Sequence, residues 1–215
     1  MDSNGAASAW IACPARAVPV PGAYLLGSGE WDVLPVPLFL EASAEGGFIA
    51  APPLPRSWEP GLSLDLRGPL GRGFNLPQGL SRLGLAAFGE TASRLLPLIE
   101  QALRRGAAVS LFTDLPVVDL PSAVEINPLG SLPDGLAWAD FLALDMPLPR
   151  LAELDGSLGL TGQRRLPCPG QALLLAAMPC GGLADCGVCA VQIGRSWKLA
   201  CKDGPVFNLE ELVTR

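Results

Sequence analysis

From Met178 to Cys189 the chain reads MPCGGLADCGVC, and a further cysteine, Cys201, follows with eleven residues between. No other stretch restricts the fold as tightly. Cys180, Cys186, Cys189 and Cys201 are spaced C-x5-C-x2-C-x11-C, so three thiols share one loop and a hairpin return would bring the fourth beside them. Two thiolates in a C-x2-C turn can reach one metal ion. Four on short loops either hold one zinc ion tetrahedrally or share a two-iron, two-sulfide core. A zinc ribbon sets two compact C-x2-C pairs face to face, and this sequence has one. Three crowded thiols with a distant fourth match the plant-type ferredoxin spacing, lengthened by one residue.

The glycines at 181, 182 and 187 favour the inorganic core. A loop wrapped round a bulky group needs positive φ angles and unhindered backbone N–H groups aimed at sulfur. Met178, Leu183 and Val188 are expected to exclude water, and Arg195, Lys198 and Lys202 lie close enough in sequence to offset the net negative charge of an oxidised core with four thiolates. Asp185, inside the loop, opposes the uptake of a further electron. On these residues alone, a zinc ion that staples the C-terminal segment remains open. Cys13 and Cys168 fall outside the pattern and read as small buried residues or ordinary thiols, with Cys168 as a reserve ligand.

Composition narrows the chemistry. There is no histidine among the 215 residues, which removes a His general base, a Ser-His-Asp triad, a His-ligated metal and a Rieske-type centre together. A net charge of -6 and no basic stripe argue against nucleic acid and anionic membranes as partners. The first residues, MDSNGAASAWIACPAR, lack the basic and apolar regions of a signal peptide, and no apolar run approaches the roughly 18 residues needed to span a bilayer. The expectation is a cytoplasmic protein with reduced thiols, in which clustered cysteines serve metal binding or catalysis. Hydrophobic residues make up 49% of the chain and charged ones only 17%, which points to a permanent partner surface.

Along the chain, short apolar stretches from Tyr24 to about Leu66 (AYLL, PLFLEA, GFIAA, LSLDL) alternate with Gly, Pro and Ser breaks, as in an antiparallel sheet or small barrel. The segment RGPLGRGFNLPQG, from Arg67 to Gly79, reads as a linker. Beyond it, LGLAAF is a buried-strand candidate. A helix is expected to begin at Pro97 with Leu98, Ile99, Ala102 and Leu103 on one face, and RRGAAVSLFTD closes it and opens a second strand. That is a βαβ unit and implies a parallel sheet. AVEIN and FLALD are further strands, PRLAEL a short helix, Asp155–Gln171 a loop, VCAVQI and WKLACK strands, and NLEELV a closing helix. The expected class is α+β and multidomain. Residues 1–67 form a reduced antiparallel β-barrel, 68–160 a small α/β parallel-sheet domain, and 161–215 a cysteine-rich [2Fe-2S] module.

The segments MPCGGLADCGVCAV and CKDGPVF resemble the cluster loop and closing segment of the electron-transfer subunit of B-type dihydroorotate dehydrogenase, in the ferredoxin-reductase superfamily. GPLGRGF, Gly68 to Phe74, resembles that subunit's junction between barrel and nucleotide domain, and PGAYLL, from Pro21, stands where the family carries Pro-Gly-Gln-Phe. The resemblance implies a flavin-binding barrel, an NAD-binding α/β domain and a C-terminal [2Fe-2S] module ligated by Cys180, Cys186, Cys189 and Cys201. Electrons then pass between NAD and a partner flavoprotein that oxidises dihydroorotate.

Two departures qualify this expectation. Where the family has the flavin motif Arg-Pro-x-Ser, this chain has Val36-Pro37-Leu38-Phe39, which lacks both the phosphate-pairing arginine and the serine hydroxyl. Where the family has a glycine run before its helix, this chain has Glu90-Thr91-Ala92-Ser93-Arg94, whose side chains block a dinucleotide phosphate. The reading is therefore a non-catalytic electron-transfer subunit of a hetero-oligomer. It carries [2Fe-2S], doubtfully FAD and not NAD, and it relays electrons from a flavoprotein dehydrogenase to an external acceptor. The rivals are an active subunit that keeps FAD and NAD through altered contacts, and a structural protein with a four-cysteine zinc site.

Overall fold

Alternation of inward apolar and outward residues builds the N-terminal half. In the computed structural model, which describes residues 8–117, 119–160 and 166–213, β1 (Ala9–Ala12), β2 (Tyr24–Ser28), β3 (Val36–Ala44), β4 (Gly47–Ala50) and β5 (Asp65–Leu70) form one antiparallel sheet in the order β1-β4-β3-β2-β5. It curls as a half-barrel with β1 and β5 at its edges. The register places Tyr24 opposite Phe39, Leu25 opposite Leu38, and Leu26 opposite Pro37. Side chains alternate across a strand, and the two faces accordingly enter different cores. Tyr24, Leu26 and Phe39 pack toward the second sheet, whereas Leu25, Leu38 and Phe48 fill the other side of the half-barrel. The expected linker begins inside this sheet, since Arg67 to Leu70 complete β5.

The second sheet grows from continuous apolar strands covered on both faces. Its members are β6 (Arg82–Ala87), followed by α1 (Leu96–Arg104), β7 (Ala108–Phe112), β8 (Val124–Asn127), α2 (Leu132–Trp138), β9 (Phe141–Pro147), α3 (Leu154–Ser157) and β10 (Gly170–Leu175). The cysteine segment follows, with a hairpin of β11 (Ala190–Ile193) and β12 (Ser196–Leu199), the helical turn α4 (Ala200–Asp203), β13 (Val206–Asn208) and α5 (Leu209–Val213). The sheet order is β13-β10-β9-β6-β7-β8. All neighbours are parallel except β13, which pairs antiparallel with β10.

The sheet's first strand in sequence, β6, lies in the middle, and the chain winds outward to β7 and β8 on one side and to β9 and β10 on the other. Open α/β sheets bind ligands beyond the carboxyl ends of their strands at such a reversal point. Here that point is the gap between Ala87 and Asp145, which are register partners.

Several expectations are met and others corrected. The helix of the βαβ unit begins at Leu96, with Pro97 second and Leu98, Ile99 and Ala102 buried. PRLAEL forms a 3-10 helix over Leu148–Glu153. The loop expected over Asp155–Gln171 falls partly outside the described residues, while its ends belong to α3 and β10. Cys201 lies on the turn α4 rather than on a strand. Because β10 and β13 complete the six-stranded sheet, the segment beyond residue 160 contributes to the same layer as β6 to β9. No helix among the described residues is long and apolar enough to cross a membrane.

Candidate metal centre

The cysteine segment leaves the second sheet at the end of β10 and returns to it at β13, β10's neighbour. Between these strands the backbone turns sharply. Gly181, Gly182, Ala184 and Gly187 all have positive φ, from 61° to 71°, the left-handed region that glycine reaches without steric cost. Successive reversals of this kind aim N–H groups inward as an anion-binding concavity. The sulfur of Cys180 sits in it. The Asp185 backbone N–H first, then that of Cys186 and, among smaller contributions, that of Leu183, favour the thiolate, and its pKa falls from 9.0 to about 6.

The thiols lie close enough to act on one another. Cys186 beside Cys180 favours the Cys180 thiolate, and Cys189 beside Cys201 opposes ionisation of Cys201. Burial first, then Cys189, pushes Cys201 up to about 11, opposed by the Ala184 N–H. Among the described residues no group of three or more His, Cys, Asp or Glu side chains draws together around one ion position. The hairpin of β11 and β12 supplies the return, because Val191 lies opposite Lys198 and the Ala200 N–H donates to the Cys189 carbonyl at 3.0 Å. Thiols in a nest of amide donors suit an iron–sulfur group, since its sulfur ligands carry negative charge and accept N–H hydrogen bonds.

The half-barrel supports this loop from below. Tyr24, the sole tyrosine of the chain, is fully buried, and its hydroxyl donates to the Cys201 carbonyl at 3.1 Å. Burial, then Cys201, Cys189 and Cys180, raise its phenol to about 12, with Arg67 acting in the opposite sense. Pro35 packs against Gly181. Neither Tyr24 nor Pro35 stood out in the sequence as a site residue, although a lone tyrosine beside Pro21-Gly22 was a usable signal.

Water exclusion works differently from expectation. Met178 is buried, but Leu183 and Val188 are 65% and 53% exposed, and Cys186 is exposed as well. These side chains form the outer wall of the loop and face solvent instead of lining the sulfurs. Trp197, at the tip of the following hairpin, is also exposed. Lys198 faces a cavity of about 300 Å³ shared with Arg72, Asp203 and Glu211, which none of the four cysteines lines. Cys168 is buried before β10, at the end of the sheet near Asp140, and its thiol is pushed up to about 11 by burial first and Asp140 second. The six residues of β10, about 20 Å of strand, separate it from the cluster loop, so it is no reserve ligand. Cys13 stands away from the loop, after β1.

The reversal point of the sheet is filled by the protein itself. Arg94, 4% exposed, donates from Nε to Asp145 Oδ2 at 2.8 Å and from Nη1 to the Pro52 carbonyl at 2.7 Å. Arg150 donates to the Phe88 carbonyl. Asp145 is completely buried, and its Oδ1 has no hydrogen-bond partner among the described residues. Burial holds its carboxyl above the usual range despite Arg94. On the half-barrel side, Phe39 packs on Tyr24 with ring centroids 5.7 Å apart, and both join one core with Ala51, Phe88, Met146 and Met178.

Comparison with known proteins agrees with this geometry. Residues 176–213 match the iron–sulfur cluster binding domain of dihydroorotate dehydrogenase B, a stretch that contains all four cysteines. No curated protein matches the sequence. Among solved structures, an NADH-dependent reduced ferredoxin-NADP oxidoreductase studied for flavin-based electron bifurcation superposes with a TM-score of 0.71 at 18% identity, covering 97% of this chain and 85% of its own. A ferredoxin reductase of carbazole 1,9a-dioxygenase gives a TM-score of 0.50 at 17% identity, covering 74% of this chain and 65% of its own. At such identities these likenesses speak for the fold alone. Residues 176–213 thus carry the iron–sulfur cluster binding domain of dihydroorotate dehydrogenase B, on a chain whose fold resembles that of a ferredoxin-NADP oxidoreductase.

Proposed function

We propose that this chain is an iron–sulfur electron-transfer subunit in which Cys180, Cys186, Cys189 and Cys201 ligate one [2Fe-2S] core. It relays single electrons from the reduced flavin of a partner dehydrogenase, of the dihydroorotate-oxidising type, to an external acceptor. The observation that carries this reading is the match of residues 176–213, which hold all four thiols, to an iron–sulfur cluster binding domain, with Cys186 beside Cys180 and Cys189 beside Cys201. Two irons bridged by sulfide take two thiolates each, whereas one zinc ion takes all four at a single point. Such a core accepts and releases one electron without bond chemistry.

The chain's own residues then act by placement. The N–H groups of Leu183, Asp185 and Cys186 hold negative charge on the Cys180 sulfur. Tyr24 fixes the segment of Cys201 through its carbonyl. The exposed wall of Leu183, Cys186 and Val188 leaves the loop open to a docking partner, and catalysis of substrate oxidation belongs to that partner.

The reading includes the loss of FAD and NAD sites. The residues at the two places where the fold would take them do not suit the cofactors. Phe39 stands where a flavin-phosphate motif would place a serine, and its ring is part of a closed core with Tyr24. At the sheet's reversal point, exposed Glu90 and the buried Asp145 carboxylate would repel a pyrophosphate, and Arg94 is committed to Asp145 and Pro52.

Anaerobic purification of the full chain, expressed with iron, sulfide and riboflavin in supply, tests this. About two irons and two sulfides per chain are expected, with a rhombic paramagnetic signal after dithionite and no retained flavin. One zinc and no sulfide would leave a structural site in its place, and a flavin that survives gel filtration would restore the reductase reading.

A further inference from the structure

The half-barrel keeps two polar side chains that reach the cysteine loop, although its motif for a flavin is altered. Tyr24, on β2, is one. The other is Arg67, which the register of β5 places opposite Leu26. The Arg67 Nη2 atom stands 3.8 Å from where a Cβ at Gly181 would lie and 3.6 Å from where one at Gly182 would lie. A Cβ at Gly182 would also meet the Tyr24 hydroxyl at 3.3 Å and Leu26 at 3.4 Å. The guanidinium therefore lies directly against the backbone that follows Cys180. No ion pair involves Arg67 among the described residues, so its charge is not spent on a carboxylate.

We infer that Arg67 is a positioning residue of the electron relay, a fixed cation from the half-barrel that raises the reduction potential of the group held by the cysteine loop. This rests on the iron–sulfur reading above. In the step concerned, the core gains one electron from a reduced flavin of the partner, which loses one. No bond is made or broken and no proton moves to the core. Core plus four thiolates becomes more negative by one charge, and a guanidinium against the loop stabilises that product more than the oxidised form. Asp185 on the same loop acts in the opposite sense, so the potential reflects the balance of the two charges. Lys cannot substitute fully, since a planar fork lying on a glycine backbone differs from a mobile, strongly hydrated ammonium.

The test is a redox titration of the purified full chain carrying its cluster, followed by paramagnetic resonance and visible absorption. Arg67→Gln should hold the same iron and sulfide as the unchanged chain yet be reduced about tenfold less favourably, which for one electron is about 59 mV downward. Arg67→Glu should move further the same way, and Arg67→Lys should recover at least half of the shift. The difference should shrink as salt is raised, because the group is exposed. A purely structural role would instead lower iron content or stability and leave the potential of the remaining cluster in place. Equal potentials for Arg67→Gln and the unchanged chain, at equal iron content, would overturn the inference while leaving the ligand assignment intact. If Arg67→Gln holds no cluster, Arg67→Lys decides. A potential near that of the unchanged chain supports the inference, and one lowered tenfold or more despite the retained charge overturns it. A chain that holds no cluster before any substitution removes both.

Discussion

Arg94 Nε lies 2.8 Å from Asp145 Oδ2, and the same guanidinium reaches the Pro52 carbonyl at 2.7 Å. One side chain thereby joins the parallel sheet to the half-barrel across the crevice between them. Removing one partner of a buried pair leaves the other charge uncompensated, which costs about 3 to 5 kcal/mol. Arg94→Met should show a loss of that size in urea unfolding at neutral pH. With Arg94 gone, nothing opposes the burial that raises the Asp145 carboxyl above its ordinary 3.8. The contribution of this group is then intact below that value and lost as pH rises through the raised pKa. The deficit of Arg94→Met should therefore narrow in acid.

Gly182 combines a φ of 71° with a neighbour, the Tyr24 hydroxyl, 3.3 Å from any added Cβ. Gly182→Val should lose about 1 to 3 kcal/mol from backbone strain alone, and iron content should fall with it. Tyr24→Phe leaves the buried Cys201 carbonyl without its donor and should cost about 1 to 3 kcal/mol while preserving the Phe39 contact. Comparing the two by denaturation and iron analysis separates strain in the loop from loss of its support.

In the metal-free chain the thiols should differ widely in reactivity. With Cys180 near 6 and Cys168 and Cys201 near 11, iodoacetamide at pH 7 should label Cys180 ahead of both by more than tenfold. Peptide mass mapping over time checks the order. Cys168→Ser and Cys13→Ser should leave iron content unchanged, whereas serine at any of the four clustered positions should reduce it.

Two surface carboxylates, Asp140 and Glu153, contribute to the acid limb. Side-chain hydrogen bonding from Arg82 first lowers Asp140 below 3.8, and from Arg150 first lowers Glu153 below 4.5. The stability each contributes is fully present above those ordinary values and disappears as pH falls through the lowered ones. Asp140→Asn and Glu153→Gln should therefore lower stability slightly at neutral pH, where the contribution is fully present, and flatten the profile below about pH 4.5, where variant and unchanged chain converge, as thermal unfolding against pH would show.

The pattern of thiols, glycines and short apolar strands was legible because each is a local signal. Four cysteines at fixed spacing mark a segment wherever it folds, and LGLAAF with Pro97 behind it marks a βαβ unit. QALLLAA was not legible as the strand β10, because Ala, Leu and Gln favour helix in isolation, and the choice was made by neighbours β9 and β13 far along the chain. Leu183 and Val188 look like core residues in sequence, yet loop curvature turns them outward. Arg67, Tyr24 and Asp145 gain their roles only from contacts over long separations, such as the 177 residues between Tyr24 and Cys201. Sequence spacing carries no trace of those.

The cysteine segment departs from one strand and comes back on the strand hydrogen-bonded to it, Gln171 lying opposite Asn208 and Leu173 opposite Val206. A module moored at both feet has no swinging arm. Whatever the cysteine loop holds is thereby kept at a set distance from the six-stranded sheet, with no pendulum motion within this chain to change it.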